Sequence, residues 1–83
     1  MGYPIFTPYQ LSFSLKSWRK SLNLTQVEAG QRVGLLPKTI SALESYPERC
    51  TIESLFKLLS ALNLEISLNA KQSKAGDSQQ GEW

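Results

Sequence analysis

The stretch Thr25-Gln-Val-Glu-Ala-Gly-Gln-Arg-Val-Gly-Leu-Leu-Pro-Lys-Thr-Ile-Ser-Ala-Leu-Glu-Ser45 decides the fold of this chain. Thr25 is a good N-cap, and Glu28 three residues later completes a capping box, so a helix is expected to start at Gln26. Val33 closes that helix, and Gly34 supplies a turn with positive φ. Pro37 suits the first turn of a second helix that runs to about Ser45. Val27, Val33, Leu35, Ile40 and Leu43 are spaced to face a common core, which leaves Lys38, Thr39, Ser41 and Ala42 pointing outward. Two short helices around a tight turn make a helix-turn-helix, whose second helix is built to enter the DNA major groove.

Working outward, Thr7-Pro8-Tyr9-Gln10 repeats the start signal: a cap, a proline at the first position and a capping-box glutamine. A first helix should follow to about Leu22, with Phe6 as its staple and Leu11, Leu15, Trp18 and Leu22 as its core face. Lys16 and Lys20 fall on the opposite side, and Phe13 lies off the apolar face. Downstream, Pro47 ends the second motif helix, and Thr51 caps a fourth helix over roughly Ile52–Leu62. Its apolar residues (Ile52, Leu55, Phe56, Leu58, Leu59, Leu62) cover more than one packing face, so part of this surface, Leu58 included, is expected to meet a second copy. Leu64-Glu-Ile-Ser-Leu-Asn69 alternates with the period of a strand. A lone strand leaves its backbone groups unpaired, and pairing Ile66 and Leu68 with the same strand of another subunit resolves this in a two-fold dimer. Residues 70–83 have the composition of a disordered tail, ending in Glu82-Trp83. Trp83 is either an unused terminus or an anchor for a partner's pocket.

Composition narrows the function. Eighty-three residues, 41% hydrophobic, make one small domain, and a net charge of +2 permits nucleic-acid binding without demanding it. Histidine is absent, which removes the usual general base and the usual zinc ligand, and no metal or other cofactor is expected. The single Cys50 can form neither an internal disulfide nor a metal cluster and fits a reducing compartment. No apolar run approaches a membrane span, and Phe6 replaces the Ser or Thr of a myristoylation signal after Met1-Gly2. The expectation is a cytoplasmic, nucleoid-associated protein that is not an enzyme.

Arg19-x5-Thr25-Gln26, Val33-Gly34-Leu35, Thr39-Ile40-Ser41 and Leu43-Glu44, followed by an amphipathic helix, resemble the Xre/Cro-type repressors over about Leu11–Leu62. Within them, Pro8-Tyr9-Gln10-Leu11, Phe56-Lys57-Leu58-Leu59, the strand Leu64–Asn69 and the closing Glu82-Trp83 resemble the HipB-like antitoxins. The resemblance implies a mainly α fold: a four- to five-helix Xre/Cro-type helix-turn-helix domain with one C-terminal β-strand pairing across a dimer and a disordered tail. Residues 1–69 would be the DNA-binding and dimerisation domain, and 70–83 the tail. It also implies operator DNA, a homodimer and a HipA-like kinase toxin as partners, with a further operon protein as an additional one.

The same resemblance makes Arg19 and Glu44 a structural ion pair tying the first helix to the third, and Trp83 the toxin-binding residue. It adds to the physical case for Gln26, which sits where free N–H groups and the helix dipole favour a phosphate. Lys38 is placed to reach a guanine edge or a phosphate; both remain open. Thr39 and Ser41 are read as phosphate contacts or surface hydroxyls, and Ala42 as a neighbour for a thymine methyl. Several departures stand out. Ala29 is smaller than the family's usual residue, with Trp18 expected to restore the core volume. Gly30 stands for alanine. Leu36 replaces a capping residue, while Pro37 and Ala42 fall where relatives place polar readers. A stand-alone phage-type repressor, and a protein-interaction domain that has lost DNA binding, are the alternatives.

Overall fold

Each helix of this protein begins and ends on a local signal, and a computed structural model describes residues 4–71. Thr7 opens α1 (Pro8–Ser21) and Thr25 opens α2 (Gln26–Val33), both through complete capping boxes. α3 (Pro37–Ser45) starts without a side-chain cap, because Leu36 has no acceptor to offer. A 3-10 turn, Pro47–Arg49, leads to α4 (Ile52–Ala61), which Thr51 caps by accepting from the Ser54 N–H.

The ends of α1, α2 and α4 share one device. Asn23 and Asn63, each inside a Leu-Asn-Leu triplet, adopt left-handed φ of 60° and 62°. The following leucine N–H then turns back on the helix, Leu24 to the Arg19 carbonyl at 3.2 Å and Leu64 to the Leu59 carbonyl at 2.8 Å. Gly34, with φ of 75°, does the same for α2, and Leu35 N–H reaches the Gly30 carbonyl at 2.9 Å. The turn after α2 is so close that a Cβ on Gly30 would lie 2.2 Å from the Leu35 carbonyl oxygen. Glycine at this position is therefore a steric requirement of the turn.

The core is Leu15, Ala29, Ile40, Leu43, Leu58, Leu59, Ala61 and Leu62, with Leu11, Leu24, Val33, Leu35, Cys50, Leu55 and Leu64 packed against it. Several sequence expectations need correction. Trp18 is 45% exposed rather than a core residue, and Leu22 also lies at the surface. The face α1 buries is Ser12, Leu15 and Arg19, rotated from the apolar stripe by about one residue. Two of those three are polar and therefore invisible to hydrophobic spacing; Ser12 is satisfied by donating to the Leu43 carbonyl at 2.6 Å. In α2 the buried pair is Ala29 and Gly30, and Val27 is exposed. Leu58, expected at a dimer contact, is 0% exposed and belongs to this chain's own core. The outward half of the α4 stripe is Ile52 and Phe56, which with Val33 line a shallow groove. Phe6 stays exposed and carries the Lys71 ammonium 5.3 Å from its ring centroid.

Leu64–Asn69 forms no regular element in the single chain. Leu64 packs on the core, Ile66 is exposed, and Leu68 is 94% exposed. Trp83 and the remainder of the expected tail from residue 72 lie outside the described residues, as does Tyr3.

Candidate nucleic-acid interface

The two motif helices are held by a buried polar cluster. Arg19 Nε donates to Glu44 Oε2 at 2.6 Å and Nη2 donates to Oε1 at 3.0 Å, a two-point grip between side chains only 8% and 2% exposed. The third guanidinium nitrogen, Nη1, donates to the Leu24 carbonyl at 2.7 Å and fixes the approach to α2. The hydrogen bond and charge of Glu44 outweigh the cost of burial and hold the Arg19 guanidinium above its ordinary pKa, so it stays charged.

Glu44 has one more partner. Gln26 Nε2 donates to Glu44 Oε1 at 3.1 Å, so the side chain at the head of α2 is tethered to α3. Sequence reasoning placed Gln26 at a phosphate without this tether; a glutamine opening one helix and a buried glutamate closing the next was the available signal. The α2 capping box occupies the N–H groups of Thr25 and Glu28. Among the described residues the backbone N–H groups of Gln26 and Val27 have no partner, and they lie at the positive end of the helix dipole. That is an arrangement for an anion, with a half-buried amide beside it.

At the head of α3, Lys38 is exposed, while Thr39, Ser41 and Ala42 are half-buried. Pro37 has no N–H and Thr39 N–H is taken by the Leu36 carbonyl at 2.9 Å, which leaves Lys38 N–H as the free donor there. Leu36, exposed beside Lys38, presents an apolar contact. The structure thus brings Gln26 and Glu44 into contact and sets Lys38, Thr39, Ser41 and Ala42 along α3. Lys57 lies apart from them on α4, 3.8 Å from Glu53. Two roles went unnoticed in the sequence: that of Trp18, whose Nε1 donates to the Leu62 carbonyl at 3.1 Å, and that of Arg32, whose Nη1 donates to the Ala61 carbonyl at 3.0 Å.

The geometry has close parallels. The HTH_3 helix-turn-helix family model matches residues 15–69. The antitoxin HipB of Escherichia coli, in two strains, is 33% identical over 82 residues; the match spans 95% of this chain and 87% or 93% of the relative. Among solved structures, a HipA–HipB–O2–O3 complex and a HipB–O4 20-mer complex each contain a chain similar to this one. Both superpose with a TM-score of 0.83 at 31% identity, over 86% of this chain and 100% of theirs. The chain belongs to the HipB-like antitoxins of the Xre/Cro-type helix-turn-helix family.

Proposed function

We propose that this protein is a dimeric, DNA-binding antitoxin that represses its own operon and binds a HipA-type kinase. The observation that carries the DNA reading is the tethered Gln26 beside two free N–H groups at the head of α2, with Lys38 exposed at the head of α3. The first set suits a phosphate and fixes register; the second reaches a base edge or a phosphate. Thr39 and Ser41 add hydroxyls along the same helix, and Leu36 and Ala42 offer apolar contacts to thymine methyls. With so few polar readers, part of the specificity falls to operator shape and deformability.

The dimer rests on Leu64–Asn69. Its exposed alternate residues, Ile66 and Leu68, and its lack of a strand partner among the described residues favour pairing with the same segment of a second copy. Half-sites would then lie about 10 bp apart or a multiple of that. The kinase partner is supported by similarity to HipB, which has been solved in complex with HipA. Trp83 would be its anchor, in the cytoplasm, alone or with a further operon protein. A second reading, an interaction domain without DNA binding, is favoured by one observation: exposed Leu36 at the cap of α3 and half-buried Ala42 within it stand in place of polar side chains.

One experiment separates these. The protein is purified from its native operon and its bound proteins and DNA are identified, then binding to the DNA upstream of its own gene is measured. A bound kinase and nanomolar, salt-sensitive binding to that DNA are expected. Binding no tighter than to random duplex would leave the interaction-domain reading standing.

A further inference from the structure

Trp18 and Arg19 are neighbours on α1, yet they hold different ends of the domain. Arg19 grips Glu44 of the recognition helix, while Trp18 Nε1 donates to the carbonyl of Leu62, the residue after α4. From α2, Arg32 Nη1 donates to the carbonyl of Ala61, the last residue of α4. Two successive carbonyls at this helix end therefore take donors from two other helices. Helix ends leave such carbonyls without intrahelical partners, and at an exposed end water serves them readily. Here both donors sit on side chains that still reach the surface, and the bonds themselves are part-buried.

The chain just past Leu62 is equally constrained. Asn63 turns it in the left-handed region, Leu64 N–H returns to the Leu59 carbonyl at 2.8 Å, and Leu64 packs against the core. Further on, the chain carries the exposed Ile66 and Leu68. The direction in which the C-terminal arm leaves the domain is thus referenced, through one turn of α1 and through α2, to the helices that face DNA.

We propose that Trp18 and Arg32 are positioning residues that set the angle between the C-terminal arm and the recognition helix, and with it the half-site spacing the dimer reads. This rests on the dimeric reading above. The lever makes the angle matter. The molecule is 25 Å across its middle axis, and a rotation of ~10° at that distance moves a helix by ~4 Å. That exceeds the ~3.4 Å rise of one base pair, and each subunit contributes its own displacement.

The test uses the full-length protein and duplexes from the DNA upstream of its own gene, with zero, one or two base pairs inserted between the half-sites. Trp18→Phe keeps an aromatic ring, though a smaller one, and removes the donor; Arg32→Gln shortens the other grip. The wild type should lose about tenfold or more in affinity for the two-pair insertion, since half-sites are read at a fixed helical phase. The double variant should lose no more than about threefold, while its affinity for a single half-site is unchanged. The two single variants, each expected to flatten the profile in part, decide the matter should the double variant not fold. A spacing profile like the wild type's, even with a lowered Tm, would overturn the proposal and leave the two bonds as simple helix capping. A flat wild-type profile with monomeric sedimentation would instead remove the dimeric reading, and this proposal with it.

Discussion

Replacing Arg19 with alanine removes three hydrogen bonds at once: two to Glu44, at 2.6 and 3.0 Å, and one to the Leu24 carbonyl at 2.7 Å. The Glu44 side chain, 2% exposed, would be left with the Gln26 amide at 3.1 Å as its remaining described partner. Breaking a buried pair from one side costs about 3–5 kcal/mol, because a charge stays buried without compensation. The surviving Gln26 bond places the expected loss near the lower end, about 3 kcal/mol. For a domain of this size the total is about 5–10 kcal/mol, so the variant should keep its fold with Tm lowered by more than about 12 °C. Urea and thermal unfolding followed by circular dichroism measure both. The double change Arg19→Met with Glu44→Leu is the control: it removes both charges and should recover most of the loss. A loss below about 1 kcal/mol for Arg19→Ala, or a double variant no better than the single, would refute the role assigned to the buried pair.

Lys38→Ala should weaken binding to the upstream DNA while leaving unfolding curves unchanged. A loss larger on that DNA than on random duplex by ~1–3 kcal/mol marks a base contact, and an equal loss with a shallower salt slope marks a phosphate contact. Gly30→Ala should destabilise the fold by about 1–3 kcal/mol despite alanine's better helix propensity, because the new Cβ meets the Leu35 backbone; denaturation midpoints check this, and a stabilised variant would show that the turn relaxes freely. Ile66→Pro should shift sedimentation toward monomer at low micromolar protein, since proline removes a strand donor; an unchanged dimer would place the contact on the Ile52–Phe56 face instead. Burial, aided by the Glu48 carboxylate, pushes the Cys50 thiol above its ordinary pKa. Less thiolate is then present at pH 8, and its reaction with a disulfide reagent should be slower in the folded protein than in urea. Because the folded value is the higher one, its contribution to stability is complete below the unfolded thiol's pKa and is lost as pH rises through the folded one.

The helix starts and turns were legible because each is a local match between one side chain and a few backbone groups. Thr7, Thr25, Gly34 and Pro37 stand in the structure in the roles their neighbours dictate. The inward faces were less legible. Ser12 and Arg19 are buried because distant acceptors, the Leu43 carbonyl and Glu44, satisfy them, and hydrophobic spacing carries no trace of a partner 25 or 31 residues away. Spacing alone likewise points Trp18 into the core and Leu58 at an interface, whereas Trp18 is 45% exposed and Leu58 is fully buried in the core of its own chain. At the site, the residues of α2 and α3 could be named from the motif alone. The Gln26–Glu44 tether could not, since it depends on how the two helices close.

That closure bears on where the protein is able to yield. The Gly30 carbonyl accepts from both Gly34 and Leu35, and the turn leaves no room above Gly30 for a single methyl group. Arg19 and Gln26 then fasten the far side of the same pair of helices through Glu44. α2 and α3 form a stiff plate, with little scope to hinge when one operator differs slightly from the next. Compliance must come from elsewhere: from the arm beyond Leu64, or from the DNA bending to the plate. On the proposed DNA-binding reading, the operators should accordingly differ more in the bases between half-sites than in the geometry of the half-sites themselves.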